Sequence, residues 1–149
     1  MATINIRQKG AGGEREVIDA LQPYVWAVKK EYGIPFEYMK TDLQRNQNQS
    51  AVGGSDITNP FGLSIEVKRQ EALSVGTWWK QCERSAQAAN EVPVLLYRQN
   101  GKKWHCVMYA EAALPASQGS VATSMKVLCE IDWATFQFWF EQWVRRKLL

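Results

Sequence analysis

The chain has 149 residues, 46% of them hydrophobic and 22% charged, with a formal net charge of +3. This is the length and composition of one soluble globular domain, 1–149, with material for a real core and a weak bias towards a polyanionic partner. No run approaches the roughly 20 apolar residues of a membrane span, and MATINIRQKGAGG carries no apolar signal core, so a non-secreted, cytoplasmic protein without a membrane partner is expected.

In chain order, residues 13 to 22 read as a helix. Gly12 and Gly13 stand at its start, Glu14 and Glu16 in its first turn, and Val17, Ile18 and Leu21 form the apolar stripe. Pro23 interrupts the pattern, and a second helical piece runs from Tyr24 to about Tyr32, ending at Gly33. Phe36 to Lys40 reads as a short strand. The polar TDLQRNQNQSAVGG that follows reads as a long surface loop. Asp56 to Thr58 starts a strand, Asn59-Pro60-Phe61-Gly62 is a turn, and Leu63 to Arg69 is the returning strand. Thr77 to Asn90 is helical. VPVLLYR, 92 to 98, is a buried strand by its continuous apolar run. After a turn at Gly101 comes the strand WHCVMYA, then a loop over 111 to 125, then a strand from Lys126 to Ile131. The chain closes in DWATFQFWFEQWVRRKLL. Asp132 is its N-cap, Ile131 and Phe136 hold the two staple positions, and an aromatic stripe predicts a core-facing helix. A dimer interface is the alternative use of that stripe, and Phe138, off its main line, points to a second covered face. The terminal Arg145 to Lys147 suits the negative end of the helix.

Cys82, Cys106 and Cys129 are far apart and odd in number, which implies neither a zinc site nor a disulfide framework. His105 is the only histidine, so a mechanism that needs a histidine base is poorly supported.

The chemistry concentrates in SDITNPFGLSIEVKRQ, 55 to 70. Alternate residues of a strand share a face, so Leu63, Ile65 and Val67 make an apolar side, while Glu66 and Lys68 share the other. A hairpin returns Asp56 alongside Glu66. Two carboxylates held together repel unless a cation or proton lies between them, and hard oxygen ligands suit magnesium or manganese. Glu14 continues the inward stripe of its helix and offers a third acid. The competing reading is an exposed Glu66–Lys68 ion pair, worth about 0–1 kcal/mol and without function. GAGG, 10 to 13, lacks the GK[ST] of a phosphate loop. It reads instead as a flexible turn through which DNA approaches a helix N-terminus. Lys9, Arg15, Arg45, Arg69 and Arg84 form a candidate phosphate-binding rim.

Taken together, GGEREV, GGSDI and LSIEVKRQ resemble the PD-(D/E)XK nuclease superfamily, and within it the archaeal-type Holliday junction resolvases also found in viruses. Order and spacing agree over residues 9 to 70, and the helix and strand at 77 to 98 suit the later core. The last fifty residues are not matched. The resemblance implies an α/β restriction-endonuclease-like core, a mixed central β-sheet flanked by helices. It also implies a magnesium-dependent DNA endonuclease, with manganese as a substitute, that leaves a 5′-phosphate and a 3′-hydroxyl. Glu14, Asp56 and Glu66 would be metal ligands, joined by the backbone carbonyl of Val67, and Lys68 would orient or activate the attacking water. Arg15 would contact a phosphate, and Gln81 would approach from the following helix. Ser55, counted among the DNA contacts, stands where other members have proline, and the loop before it is longer than in the archaeal enzymes. Four-way junctions are the implied substrate and a homodimer the implied assembly. The alternatives are a restriction, repair or homing endonuclease on the same core, or a non-catalytic DNA-binding module.

Overall fold

The computed structural model describes residues 6–35, 42–47 and 55–148, with backbone only for residues 6–9. The strand expected at 36–40 lies outside the described residues.

The first helix, α1 (Ile6–Glu31), is a single element that runs through both GAGG and Pro23. This corrects three expectations. The glycines are helical and form no turn. Glu14 and Glu16 sit in the body of the helix, far from its positive end. Pro23 does not divide it. The buried stripe Val17, Leu21, Val25 and Val28 continues across the proline, whose ring is on the exposed side. The Asp19 carbonyl, deprived of its donor, can turn to water there. Burying four side chains, each worth about 1.5–3 kcal/mol, outweighs a helix-interior proline at about 3 kcal/mol.

Gly13 has a packing reason. A Cβ on it would lie 3.3 Å from Cβ of Arg69 and 3.5 Å from the side chains of Trp104 and Val67, whereas one on Gly10 would meet nothing within 4 Å. The missing side chain lets α1 lie directly on the sheet. Gly10→Ala is therefore expected to raise stability by about 0.5–1 kcal/mol, and Gly13→Val to lower it by about 1–3 kcal/mol through overpacking. Urea melts of the two variants check both signs. A GAGG turn would give the opposite ranking of the two sites.

The sheet has six strands in sequence order: β1 (Gln44–Arg45), β2 (Ile57–Thr58), β3 (Leu63–Arg69), β4 (Val92–Arg98), β5 (His105–Leu114) and β6 (Thr123–Asp132). The β3–β4 pair is parallel, joined through helix α2 (Val75–Ala89), and every other pair is antiparallel. This is the mixed sheet flanked by helices that the motifs imply. The stretch expected to be loop contributes β1, which pairs with β2; residues 48–54 of it lie outside the described residues.

One sheet face packs on α1 and the last helix, α3 (Trp133–Lys147). Leu63, Ile65 and Val67 meet Val17, Leu21, Phe136 and Phe140 there. The other face meets α2 through Trp78, Trp79 and Cys82. Asp132 caps α3, accepting from the Thr135 N–H at 2.7 Å, as its sequence position predicts. Within the aromatic stripe Phe136 and Phe140 are fully buried, and Trp133, Trp139 and Trp143 are half-buried against the core. Phe138, by contrast, is exposed. Arg145, in the last turn, pairs with Glu31 and Glu141.

The loop expected over 111–125 is corrected as well. Strands β5 and β6 pair in unbroken register from His105↔Asp132 to Leu114↔Thr123. The hydroxyl of Ser124 donates to Glu111 at 3.0 Å, and Ser117 and Ser120 bond to each other across the tip. The outer half of this hairpin is held by its ladder rather than by burial, so it shows no hydrophobic alternation.

All three cysteines are free, and Cys82 and Cys106 are buried. Burial pushes the Cys82 thiol up to about 12, which leaves it inert as a nucleophile. His105 stacks on Tyr97, with ring centroids 5.1 Å apart.

Candidate active site

The site starts from a turn. The Asn59 side chain accepts from the N–H groups of Phe61 and Leu63 at 3.0 and 3.3 Å and donates to the Leu63 carbonyl at 2.7 Å. This closes NPFG and sets Ile57 opposite Ile65. Asp56, one residue earlier, is then tied to β3 twice. Its N–H donates to the Ile65 carbonyl at 2.9 Å, and its Oδ2 accepts the Val67 N–H at 2.7 Å. Asn46 holds the strand from the other side. Its N–H donates to the Asp56 carbonyl at 2.9 Å, and its side-chain amide to the Ser55 carbonyl at 3.0 Å.

Glu66 projects from the middle of β3 beside Asp56, and Glu14 reaches the same place from α1. All three acids are at most 9% exposed, so an exposed surface ion pair does not describe Glu66. Burial pushes its carboxyl up to about 8; the charge of Asp56 and a hydrogen bond with it add to the rise, as does Glu14, while Lys68 opposes it. The Glu14 carboxyl is also raised, first by burial; the Arg45 hydrogen bond lowers it and the Asp56 charge raises it. The three carboxylates therefore sense one another, although they come from α1, the residue before β2, and β3.

Arg45, expected on a phosphate rim, donates from its Nε to Glu14 Oε2 at 2.8 Å. Lys68 is half-buried, and so is Ser55, whose hydroxyl donates to the Ile57 carbonyl at 3.3 Å. Arg15 is exposed on α1, and Gln81 and Arg84 are exposed on α2. Arg69 points to the opposite face of β3, 3.8 Å from Glu16. The Lys9 side chain lies outside the described residues.

The donor set fits a divalent cation. Three carboxylates are buried together, with Glu14 and Glu66 raised by burial and by the charge of Asp56, and their oxygens are hard ligands suited to magnesium or manganese. Among the described residues no three such side chains are already drawn into a ligand cage. Instead, Glu14 is met by Arg45, Asp56 by the Val67 amide, and Glu66 shares a hydrogen bond with Asp56.

Sequence reasoning missed the supports of this site. Lys29 pairs with Asp42 at 2.7 Å with both nearly buried, and Gln22 accepts from the Leu43 N–H at 3.3 Å. With Asn46, these contacts pin the 42–46 segment beneath α1. All three partners lie in a polar run without periodicity, so only a buried polar position on α1 (Gln22 or Lys29, both on its inward side) hinted at them.

No curated protein matches the sequence significantly. Among solved structures, the Archaeoglobus fulgidus Hjc, a Holliday junction resolvase from an archaeal hyperthermophile, superposes with a TM-score of 0.45 at 15% identity; the alignment covers 87% of this chain and 96% of that one. The profile of a family described as "Phage putative PDDEXK endonuclease" matches residues 5–146, a span that contains Glu14, Asp56, Glu66 and Lys68 and nearly the whole α/β fold. The chain belongs to this phage PDDEXK endonuclease family, and its mixed sheet flanked by helices is the restriction-endonuclease-like core of the PD-(D/E)XK superfamily.

Proposed function

We propose that the chain is a magnesium-dependent DNA endonuclease, one nuclease domain acting in the cytoplasm, that selects four-way junctions and resolves them by paired nicks. The observation that carries the chemistry is the burial of Asp56 and Glu66 side by side, with Glu14 beside them and Lys68 on the same strand face. The junction preference rests on the resolvase-like GGEREV, GGSDI and LSIEVKRQ.

In this reading Glu14, Asp56, Glu66 and the Val67 carbonyl hold the cation, and manganese serves in its place. When bound, it supplies charge stabilisation at the scissile phosphate and a lowered water pKa. Lys68 orients the attacking water and donates to the developing charge. The backbone ties of Asp56 keep its carboxylate placed before substrate arrives. Arg45 acts as a positioning residue through Glu14. Lys9, Arg15, Ser55 and Arg69 contact the DNA backbone. The test is a labelled immobile junction beside matched linear duplex, each with magnesium or EDTA. Symmetric nicks in the junction alone, lost with EDTA, support the whole reading. Cleavage of linear duplex at preferred sequences would replace the junction with a restriction, repair or homing substrate. Tight binding without turnover under magnesium or manganese would leave a DNA-binding module.

Paired nicks require two sites, and we place the second copy against β6. This strand is the last in the sheet order, ten residues long, and carries exposed Met125 and Leu128. An open apolar edge of this length favours pairing with another strand. Antiparallel self-pairing centred on Leu128 sets Leu128 against its own copy and Lys126 opposite Glu130 twice, a self-complementary twofold contact. Leu128→Lys is expected to convert dimer to monomer at micromolar concentration in sedimentation equilibrium. A dimer unchanged by this substitution would exclude the β6 edge.

A further inference from the structure

Arg69 and Arg98 stand directly opposite each other in the parallel β3–β4 register. Two guanidinium groups so placed repel, and one carboxylate lies between them. Glu16 is 2.8 Å from Nη2 of Arg98 and 3.8 Å from Nη1 of Arg69, and it also accepts from the Trp104 indole at 3.2 Å. The Nε–H groups of both arginines are buried without a partner among the described residues. A buried donor left unpaired in a native structure calls for an explanation. The Arg98 guanidinium lies over the Trp104 ring, 5.4 Å from its centroid. Beside it opens a cavity of about 500 Å³, whose lining includes Arg98, Lys102, Lys103, Trp104, Asp132 and Trp133. Lys102 and Lys103 are exposed. Around the cavity Arg98, Lys102 and Lys103 face two acids, Glu16 and Asp132, which leaves net positive charge there.

We infer that this pocket is a second DNA-contact site, which takes backbone phosphates on the face of β3 opposite Glu66 and Lys68. Positive charge, the ammonium donors of exposed Lys102 and Lys103 and an aromatic floor match a phosphodiester oxyanion. Its position gives it a purpose. Arg69 follows Lys68 in the chain with its side chain on the other face, so a strand crossing the ends of β3 and β4 meets the catalytic site and the pocket in turn. Gly12 and Gly13 make room for it: a Cβ on either would lie within 4 Å of Arg69. The inference rests on the DNA reading above but not on catalysis.

The test measures binding of junction and duplex DNA to the full chain in EDTA over a range of sodium chloride. Lys102→Glu/Lys103→Glu is compared with wild type and with Lys30→Glu, a charge reversal at the far end of α1. The lysine pair is expected to reduce the slope of log K against log salt by about 2. Affinity for both DNAs should fall on the order of tenfold at 100 mM salt, while Lys30→Glu leaves both unchanged. Arg98→Gln should act in the same direction; if it fails to fold, the exposed lysine pair carries the result. An unchanged slope in a protein that still cleaves would overturn the pocket and spare the nuclease reading. A reduced slope in a protein that never cleaves would keep the pocket and remove the enzyme. Saturable binding of a free deoxynucleotide, read by tryptophan fluorescence and lost in the lysine variant, would overturn the backbone-phosphate assignment in favour of a nucleotide site.

Discussion

Asp56→Asn is expected to lower magnesium-dependent DNA cleavage by on the order of a thousandfold or more, equivalent to about 4 kcal/mol of transition-state stabilisation, while the fold persists. The amide retains a side-chain oxygen that can accept the Val67 N–H now bound at 2.7 Å, and it removes the charge that repels Glu66. Asp56→Ala should be equally inactive but also less stable by about 1–3 kcal/mol, because the buried Val67 amide loses its acceptor. Single-turnover cleavage and urea melts of the two variants separate the roles. Near wild-type cleavage by Asp56→Asn would remove Asp56 from the chemistry, and unfolding of Asp56→Asn would make it a structural residue. Lys68→Ala should lose cleavage as well, without the stability loss of Asp56→Ala, since Lys68 is half-buried and forms no part of the hairpin's backbone ties.

A second large effect should appear in the pH dependence of stability in EDTA. Glu66 is buried and its carboxyl is raised from 4.5 to about 8. An acid whose pKa is higher folded than unfolded binds its proton more tightly in the native state. Its contribution is therefore complete below the unfolded pKa and is lost as pH rises through about 8. The corresponding ceiling is on the order of 5 kcal/mol, of which part is shared with Asp56. Wild type should melt progressively earlier between pH 5 and 8.5, whereas Glu66→Gln, which stays neutral, should show a much flatter profile. Magnesium should restore stability at the upper end by favouring the ionised acids, and it should do so in wild type but not in Glu66→Gln. Parallel pH profiles for the two proteins would mean that Glu66 is solvated and ionised like an ordinary surface acid.

Much of the site could be read from local chemistry. Leu63 to Arg69 alternates with a period of two, so the strand, its bounds and the shared side of Glu66 and Lys68 follow from the sequence. Asn59 to Gly62 has turn residues, so the return of Asp56 beside Glu66 follows as well. Arg45 could not be assigned in this way. It occupies a polar run with no period, and its engagement with Glu14 depends on a two-residue strand pairing with β2. The pocket around Arg98 was equally hidden, because its parts come from α1, β3, β4 and the turn before β5.

The errors of local reading share a physical cause. Glycine and proline lower helix propensity, yet α1 continues through Gly10, Gly12, Gly13 and Pro23 because its far side is buried against the sheet. Likewise the ends of β5 and β6 carry polar and small residues and are strands because each supplies the other's backbone partners. What the sequence by itself determined was every element whose cause lies within a few residues: the Asp56–Arg69 hairpin, the Asp132 cap and the buried stripes of the helices. What only the tertiary structure decided was which distant groups meet. Glu16 becomes a neighbour of Arg98, and Arg45 of Glu14, because burial of α1 on the sheet compensates for unfavourable local propensity and brings charges from separate elements into one desolvated place.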